Sequence, residues 1–435
     1  MKLNGLLWEN IKKSQHDYFI YSISLFFQHA LLYSANLLGN SVFAQNVGSD
    51  VSNSLPLIIV ITMICFGMYI NRFMIRQRSK EFATYMLVGL TKQDIVKLYG
   101  IETLIMEFVG LVIGSLAGYL FVLIYGYSIG DRIFINMDIQ VLGRSFLLTV
   151  FYSGVIFLIV YLYSSRVINK TTLRQLMYRK FYNEKPYKTG KLCDMVLAIC
   201  FVIFITQLFF IDIPAISGTL FPVLVVLLVT GQLFIWKRIL KIRESDSILY
   251  KNKGQLFRVG ILMSKQRSQV KLSVVLSLCF ILSFICYILG SVFMNAREVL
   301  MDQELDYFMG VAQSYFSIIF LVAIIGITGI KQITETMEQQ KSIIILRNQG
   351  MGNREIKHNL LKLSAQSYLI PLIMGITIST ITFLMFYCQS LLDSWMKVEV
   401  LKGGIQFVGI FVLILACFIL GTYVGYVHFI ERGKQ

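Results

Sequence analysis

The residues that could do chemistry in this chain are few, and their spacing excludes most reactions. Its four histidines, His16, His29, His358 and His428, are scattered, with no HExxH pair and no paired-cysteine spacing for a metal. The nearest approach to a phosphate-cradling loop, Gly190-Lys191, lacks the upstream glycine and the following hydroxyl. No GxSxG nucleophile elbow is present. No catalytic residue, metal or cofactor is therefore expected in the chain itself. What remains is a small set of polar side chains inside apolar runs. His29, with Gln28 and Asn36, sits deep in the first run, and Glu102 and Glu107 lie near the start of the third. Charges at bilayer depth are expensive and usually functional, but carboxylates near a helix end can reach the interface. His29 is read as an interhelical hydrogen-bonding group ahead of a proton relay, and a proton- or sodium-coupled carrier is disfavoured.

A second kind of function, transmission of force, needs no bond-making residue. The stretch Arg76–Tyr99 (RQRSKEFATYMLVGLTKQDIVKLY) opens on Arg76, Arg78 and Lys80, turns at Gly89, and restarts as a helix with Asp94 in its first turn and Lys97 a turn later. The same plan recurs 261 residues on: Lys80 falls on Lys341, Gly89 on Gly350, Asp94 on Glu355, Ile95 on Ile356 and, further along, Gly114 on Gly375. A short arm with a basic start and an apolar face can insert into a cleft on a soluble ATPase and pass its motion on. Two arms suit two ATPase subunits, with ATP and magnesium bound by those partners.

The elements that must carry these arms are membrane spans. The chain has 435 residues, is 56% apolar and 15% charged, and has a mean hydropathy of +0.68; a soluble domain carries about a quarter charged residues. Apolar runs near the roughly 20 residues needed to cross a bilayer are read at 18–38, 55–71, 101–126, 145–165, 195–212, 216–236, 272–295, 312–331, 366–388 and 405–428. With the N-terminus inside, the inner segments carry 35 of the 40 Lys and Arg residues, the outer ones only Arg132, Arg144, Arg297, Lys397 and Lys402. That asymmetry predicts cytoplasmic termini. It also explains the net charge of +16 by loops facing anionic lipid and protein, with no nucleic-acid role. The first apolar run lacks a small-residue cleavage site, so no removable signal peptide is expected. All seven cysteines fall in or beside spans, and no structural disulfide is expected.

The expected fold is an all-α polytopic membrane protein of about ten helices, built as two four-span repeats. Residues 1–17 are read as an interfacial elbow helix, with Trp8 at headgroup depth. Residues 18–171 form the first repeat with coupling segment 76–99, and 172–250 a linker and two-span hairpin turning tightly at Ile213–Ala215. Residues 251–271 form a second elbow, and 272–435 the second repeat with coupling segment 337–360. Gly110, Gly114 and Gly118 in span three, and Gly421 and Gly425 in span ten, have the four-residue spacing that lets helices approach closely. The outer loop 296–311 is acidic through Glu298, Asp302, Glu304 and Asp306 and is read as solvated.

At the arms the sequence resembles the FtsX-like permease family of ABC transporters, whose cytoplasmic segment has the form R-x-K-E-[FIY], five residues, L/V-G, and Ile further on. Arg78, Lys80, Glu81, Phe82, Val88, Gly89 and Ile95 fit it; the second copy keeps Lys341, Ile343, Gly350 and Ile356, with Ser342 in place of the glutamate. Ten spans in a 4+2+4 arrangement are similar to the bacitracin-export (BceB-type) branch. That resemblance implies a permease subunit in a bacterial cytoplasmic membrane, served by two copies of a separate ATPase. Such a permease would export a peptide or lipid-bound substrate, or remove it from the membrane, and so confer resistance to antimicrobial peptides. A histidine kinase or an extra extracellular subunit is a further partner it implies. The alternatives are a mechanotransmitting scaffold that signals without transport, or a lipid- or lipoprotein-releasing permease. The branch's large outer domain between spans seven and eight has no counterpart in residues 296–311.

Overall fold

A computed structural model describes residues 15–40, 49–129, 138–178, 190–210, 213–244, 258–262, 266–295, 303–348, 350–388 and 394–432. Among these there is no strand, and eight helices are long and apolar enough to cross a membrane. The first and fifth expected spans correspond to two further helices, Gln15–Gly39 and Lys191–Phe210. This is an all-α polytopic membrane protein. It divides into two compact units, Met1–Tyr182 and Asn183–Gln435.

The first unit comprises α1 (Gln15–Gly39), α2 (Ser49–Gln77), α3 (Ser79–Leu87), α4 (Lys92–Ile129), α5 (Ile139–Lys170) and α6 (Leu173–Tyr178). Its 38-residue α4 is about 57 Å long at 1.5 Å per residue, well beyond a hydrocarbon core of about 30 Å. The surplus at its N-terminal end forms the second half of the arm. The most extensive interhelical seam of this unit joins α1 to α4, and glycine sets it. A methyl at Gly114 would lie 2.6 Å from the His29 Cβ and 2.9 Å from the Phe26 carbonyl oxygen, and one at Gly118 2.5 Å from the Ala30 carbonyl oxygen. Between lipid-embedded helices, where water exclusion supplies no drive, such close van der Waals contact is the main attraction. Polar bonds add to it further along α1. Asn36 donates to Thr149 Oγ1 at 2.9 Å, and Asn40 donates to Ser145 Oγ at 3.2 Å, both on α5.

The second unit comprises α7 (Lys191–Phe210), α8 (Ile213–Glu244), α9 (Gln266–Met294), α10 (Gln303–Asn348), α11 (Asn353–Cys388) and α12 (Ser394–Arg432), with a turn of helix at 258–262. Phe204, Leu224, Leu227 and Leu228 of the hairpin pack with Ile281 of α9 and Ile378 of α11, so the hairpin is built into this unit. Phe280 meets Phe407 and Phe411, with ring centroids 5.7 and 4.6 Å away. Pro371, inside α11, cannot donate to the carbonyl of Ser367; Lys331 of α10 donates to it instead, at 2.8 Å. Gln232 of α8 and Ser277 of α9 donate to the Pro371 carbonyl at 2.8 and 2.6 Å.

Several expectations change. Ile213–Ala215 is not a turn but the start of α8, because proline is well tolerated in a helix's first turn, where its missing N–H has no partner to lose. The acidic loop is shorter than 296–311: α10 begins at Gln303, and Asp306 is buried, while residues 296–302 lie outside those described. Most of the first elbow, residues 1–14, lies outside them too. In the second elbow, Leu262 is buried among Trp236, Ile356, Leu360 and Leu363, so its apolar face meets protein where the sequence pattern suggested lipid. A methyl at Gly421 would meet nothing within 4 Å: small-residue spacing prepares a helix for close approach but does not supply the partner. Gly425 lies in the same helix, outside the residues whose surroundings are described.

Candidate functional site

The first arm is α3, the turn at Gly89 and the start of α4. Three backbone bonds close α3: Val88 N–H to Thr84, Gly89 N–H to Met86 and Leu90 N–H to Tyr85. The last two are the paired bonds of a Schellman end, which needs a residue at positive φ at its pivot; Gly89 supplies it at +102°. Helix α4 then opens on a reciprocal cap. The Asp94 carboxylate accepts from the Thr91 N–H at 3.1 Å, and the Asp94 N–H donates to Thr91 Oγ1 at 3.3 Å. This satisfies two backbone donors that the helix start would leave bare.

Beneath the turn, the arm carries its own core of Ile75, Phe82, Ala83, Ile95, Val96, Tyr99, Ile168 and Leu176. Leu176 comes from α6, which the sequence reading assigns to a linker. Arg78, fully buried, lies where α2 gives way to α3. Its guanidinium donates to Glu81 at 2.9 Å and makes a two-nitrogen fork with the fully buried Glu102 of α4. It also lies 5.3 Å from the centroid of Phe82, whose ring meets Tyr99 edge-on. Lys92 donates to the Asn169 carbonyl at the end of α5, at 3.0 Å. The arm is thus clamped to all three neighbouring spans.

This geometry revises the role of Phe82. The sequence reading makes it an apolar contact for a partner, but it points inward, and Phe82→Asp would bury a carboxylate in the arm's core. The exposed apolar groups are at the tip: Leu87 and Val88, with 62% and 73% of their surface accessible. Lys80 and Gly89 are also exposed. Leu87 went unnoticed because one leucine in an amphipathic segment carries no signal of direction. Glu102, read as able to reach the interface, turns inward instead because Arg78 waits there.

The second arm repeats the turn: Gly350 has φ +86°, and Ile356 N–H bonds the Gly352 carbonyl as Ile95 N–H bonds Thr91. Ile356 is buried with Leu360 and Leu363 against Trp236. Lys341 and Ile343 lie in α10, their side chains outside those described.

The intramembrane polar candidates gather in the first unit. His29 is fully buried, its Nδ1 2.7 Å from the Leu25 carbonyl and its Nε2 3.4 Å from Glu107 Oε1. Glu107 and Gln28 line a cavity of about 10 Å³, room for about one water. Tyr21, Asn71, Tyr99 and Thr103 share its wall. Tyr99 donates to Asn71 Oδ1 at 2.6 Å, linking the cavity to the arm's core. Glu107 therefore faces the helix seam, not the interface. Asn36 is not part of this group and bonds α5.

Residues 53–173, which contain the whole first arm and most of the first unit, match the family model described as FtsX-like permease C-terminal. This stretch is similar to an FtsX-like permease domain. Two curated relatives bear the name bacitracin export permease protein BceB. The one from Halalkalibacterium halodurans is 24% identical over 238 residues, covering 50% of this chain and 35% of that protein. The one from Bacillus subtilis is 31% identical over 124 residues, covering 27% and 19%. The chain thus spans about a third or less of the length of the curated relatives it matches. The matched residues include the buried Arg78–Glu102 fork and the exposed Leu87-Val88 tip.

Proposed function

We propose that this chain is the membrane-spanning permease subunit of an ABC transporter in a bacterial cytoplasmic membrane. Two copies of a separate ATPase dock on its arms, and their ATP-driven closure tilts the spans. The observation that carries this reading is the exposed apolar tip, Leu87 and Val88, on an arm otherwise closed by buried charge and apolar packing. Solvated apolar side chains on a rigid, projecting turn are suited to insertion into a cleft, and a stiff arm converts a push at its tip into span movement. The FtsX-like domain over residues 53–173 supports the ABC assignment. The BceB relatives support a peptide or lipid-linked substrate, handled by export or by removal from the membrane.

The test is co-purification of the chain with its ATPase, with hydrolysis measured in the complex. Leu87→Asp with Val88→Asp should reduce ATPase capture at least tenfold, since an interface core does not tolerate charge. Elution volume and thermal midpoint of the isolated chain should stay unchanged. Capture and hydrolysis equal to the parent's would remove the tip as the docking point.

A further inference from the structure

We propose that the root of the first arm binds one anionic phospholipid: Lys97 of α4 and Arg166 of α5 hold its phosphate, and an acyl chain lies along the groove between these helices. The two cations occupy matching places. Exposed residues run along α4 as Lys97, Ile101, Leu104 and Phe108, and along α5 as Arg166, Leu162, Leu158 and Val155. Steps of three and four residues keep each set on one face of its helix. Each apolar stripe therefore ends in a cation one turn beyond its last apolar side chain. A methyl at Gly100 would lie 2.6 Å from the Tyr161 ring, and Lys92 donates to the Asn169 carbonyl. Those two contacts make α4 and α5 antiparallel neighbours and bring Lys97 and Arg166 to nearly the same level. Each exposed set lies about a quarter turn from the Gly100–Tyr161 contact, in the direction of rising residue number. Antiparallel helices wind in opposite senses when seen from one end, so the two stripes share one side of the pair.

The chemistry selects the occupant. Among the described residues neither Lys97 nor Arg166 is in a salt bridge. Asp94, a turn before Lys97, accepts from the Thr91 N–H and hydroxyl, and Lys170, exposed at the end of α5, adds positive charge. A guanidinium can fork onto phosphate oxygens, and long cationic stems reach from apolar surface to headgroup level. A free anion or an acidic protein would match the charge but would leave the stripes beneath it uncovered. An anionic amphiphile matches both, and the leaflet on the arm's side supplies it. The site is single, because Lys97 and Arg166 fall on His358 and Val427 of the second repeat.

The test places a reporter in the groove. The full chain carrying Leu158→Trp is reconstituted in phosphatidylcholine vesicles, and brominated phosphatidylglycerol or brominated phosphatidylcholine is added as quencher. The introduced tryptophan should be quenched at a mole fraction of the brominated phosphatidylglycerol about tenfold lower. Adding Lys97→Gln and Arg166→Gln should close that gap, since each cation near an anionic surface contributes about fivefold. Arg354→Gln with Lys362→Gln, which removes two exposed cations of α11, should leave it open. Equal quenching by the two lipids, or a preference that survives loss of Lys97 and Arg166, overturns the proposal. The unmodified chain gives a second reading. In detergent with equal amounts of both lipids, native mass spectrometry should find one phosphatidylglycerol retained per chain. Retention of neither lipid, or of both alike, overturns it as well.

Discussion

The two arms share a turn and differ in how they are fastened. Gly89 and Gly350 are the only residues with φ in the left-handed region among those described, and they stand 261 positions apart. Around that common pivot the residues diverge. Arg78 and Glu102 of the first copy fall on Gln339 and Leu363 of the second, and Leu87 and Val88 fall on Asn348 and Gln349. The first arm breaks from its span at Arg78 and is fastened by buried charge. The second continues α10 without a break, as one 46-residue helix, and is fastened by apolar packing on Trp236 and Leu262. One backbone plan therefore supports two fastenings: a buried ion pair in the first arm and, among the described residues of the second, apolar packing.

The sharpest way to break this contrast is to remove one charge from the first joint. Arg78→Leu or Glu102→Leu should each destabilise the chain by about 3–5 kcal/mol, because the surviving buried charge loses the opposite charge it is forked to. The Arg78→Leu, Glu102→Leu double variant should recover much of that loss. Thermal unfolding in detergent, compared across the cycle, gives the answer. Additive losses would mean that the fork is not a closed pair.

A smaller effect distinguishes the units within their spans. Pro371 stands where Gly110 stands in the first copy. Glycine there admits α1, whereas proline frees the Ser367 carbonyl that Lys331 fills. Lys331→Met should cost about 1–3 kcal/mol by leaving that carbonyl without its donor. Adding Pro371→Ala restores a backbone N–H four residues on, so the double variant should be more stable than Lys331→Met alone. Unfolding midpoints of the three proteins measure this, and a double variant weaker than the single one would contradict it.

The sequence reveals these elements unevenly. Spans, the basic asymmetry and the pivot glycines were legible because each rests on local composition: apolar length, loop charge and a residue type demanded by one φ value. The partners of charged residues were not. Arg78 and Glu102 are 24 positions apart with no periodic relation, and nothing in the chain distinguishes a glutamate that reaches the interface from one that meets an arginine. Phe82 was misread for a similar reason: an amphipathic pattern names an apolar face without saying whether it meets the chain's own core or a partner. His29 and Glu107 were each visible as polar residues in apolar runs, but their pairing depends on the α1–α4 crossing. The Gly110–Gly118 stripe prepares that crossing without naming the helix it admits.

The weakest effect tests that last point. Gly114 and Gly421 belong to stripes of the same spacing, yet a methyl meets His29 and the backbone of residues 26–30 at the first and nothing within 4 Å at the second. Gly114→Ala should force α1 and α4 apart and cost about 1–3 kcal/mol through overpacking, with Gly375→Ala intermediate. Its closest contacts are longer, 3.2 Å to a Phe280 ring carbon and 3.3 Å to Ser277, and the ring can yield. Gly421→Ala should stay within about 0.5 kcal/mol of the parent, or gain slightly, since alanine favours the helix. The order of the three thermal midpoints, Gly421→Ala above Gly375→Ala above Gly114→Ala, is the checkable statement. A Gly421→Ala loss as large as that at Gly114 would mean that α12 carries a close helix contact at this position, and that the two stripes do the same work.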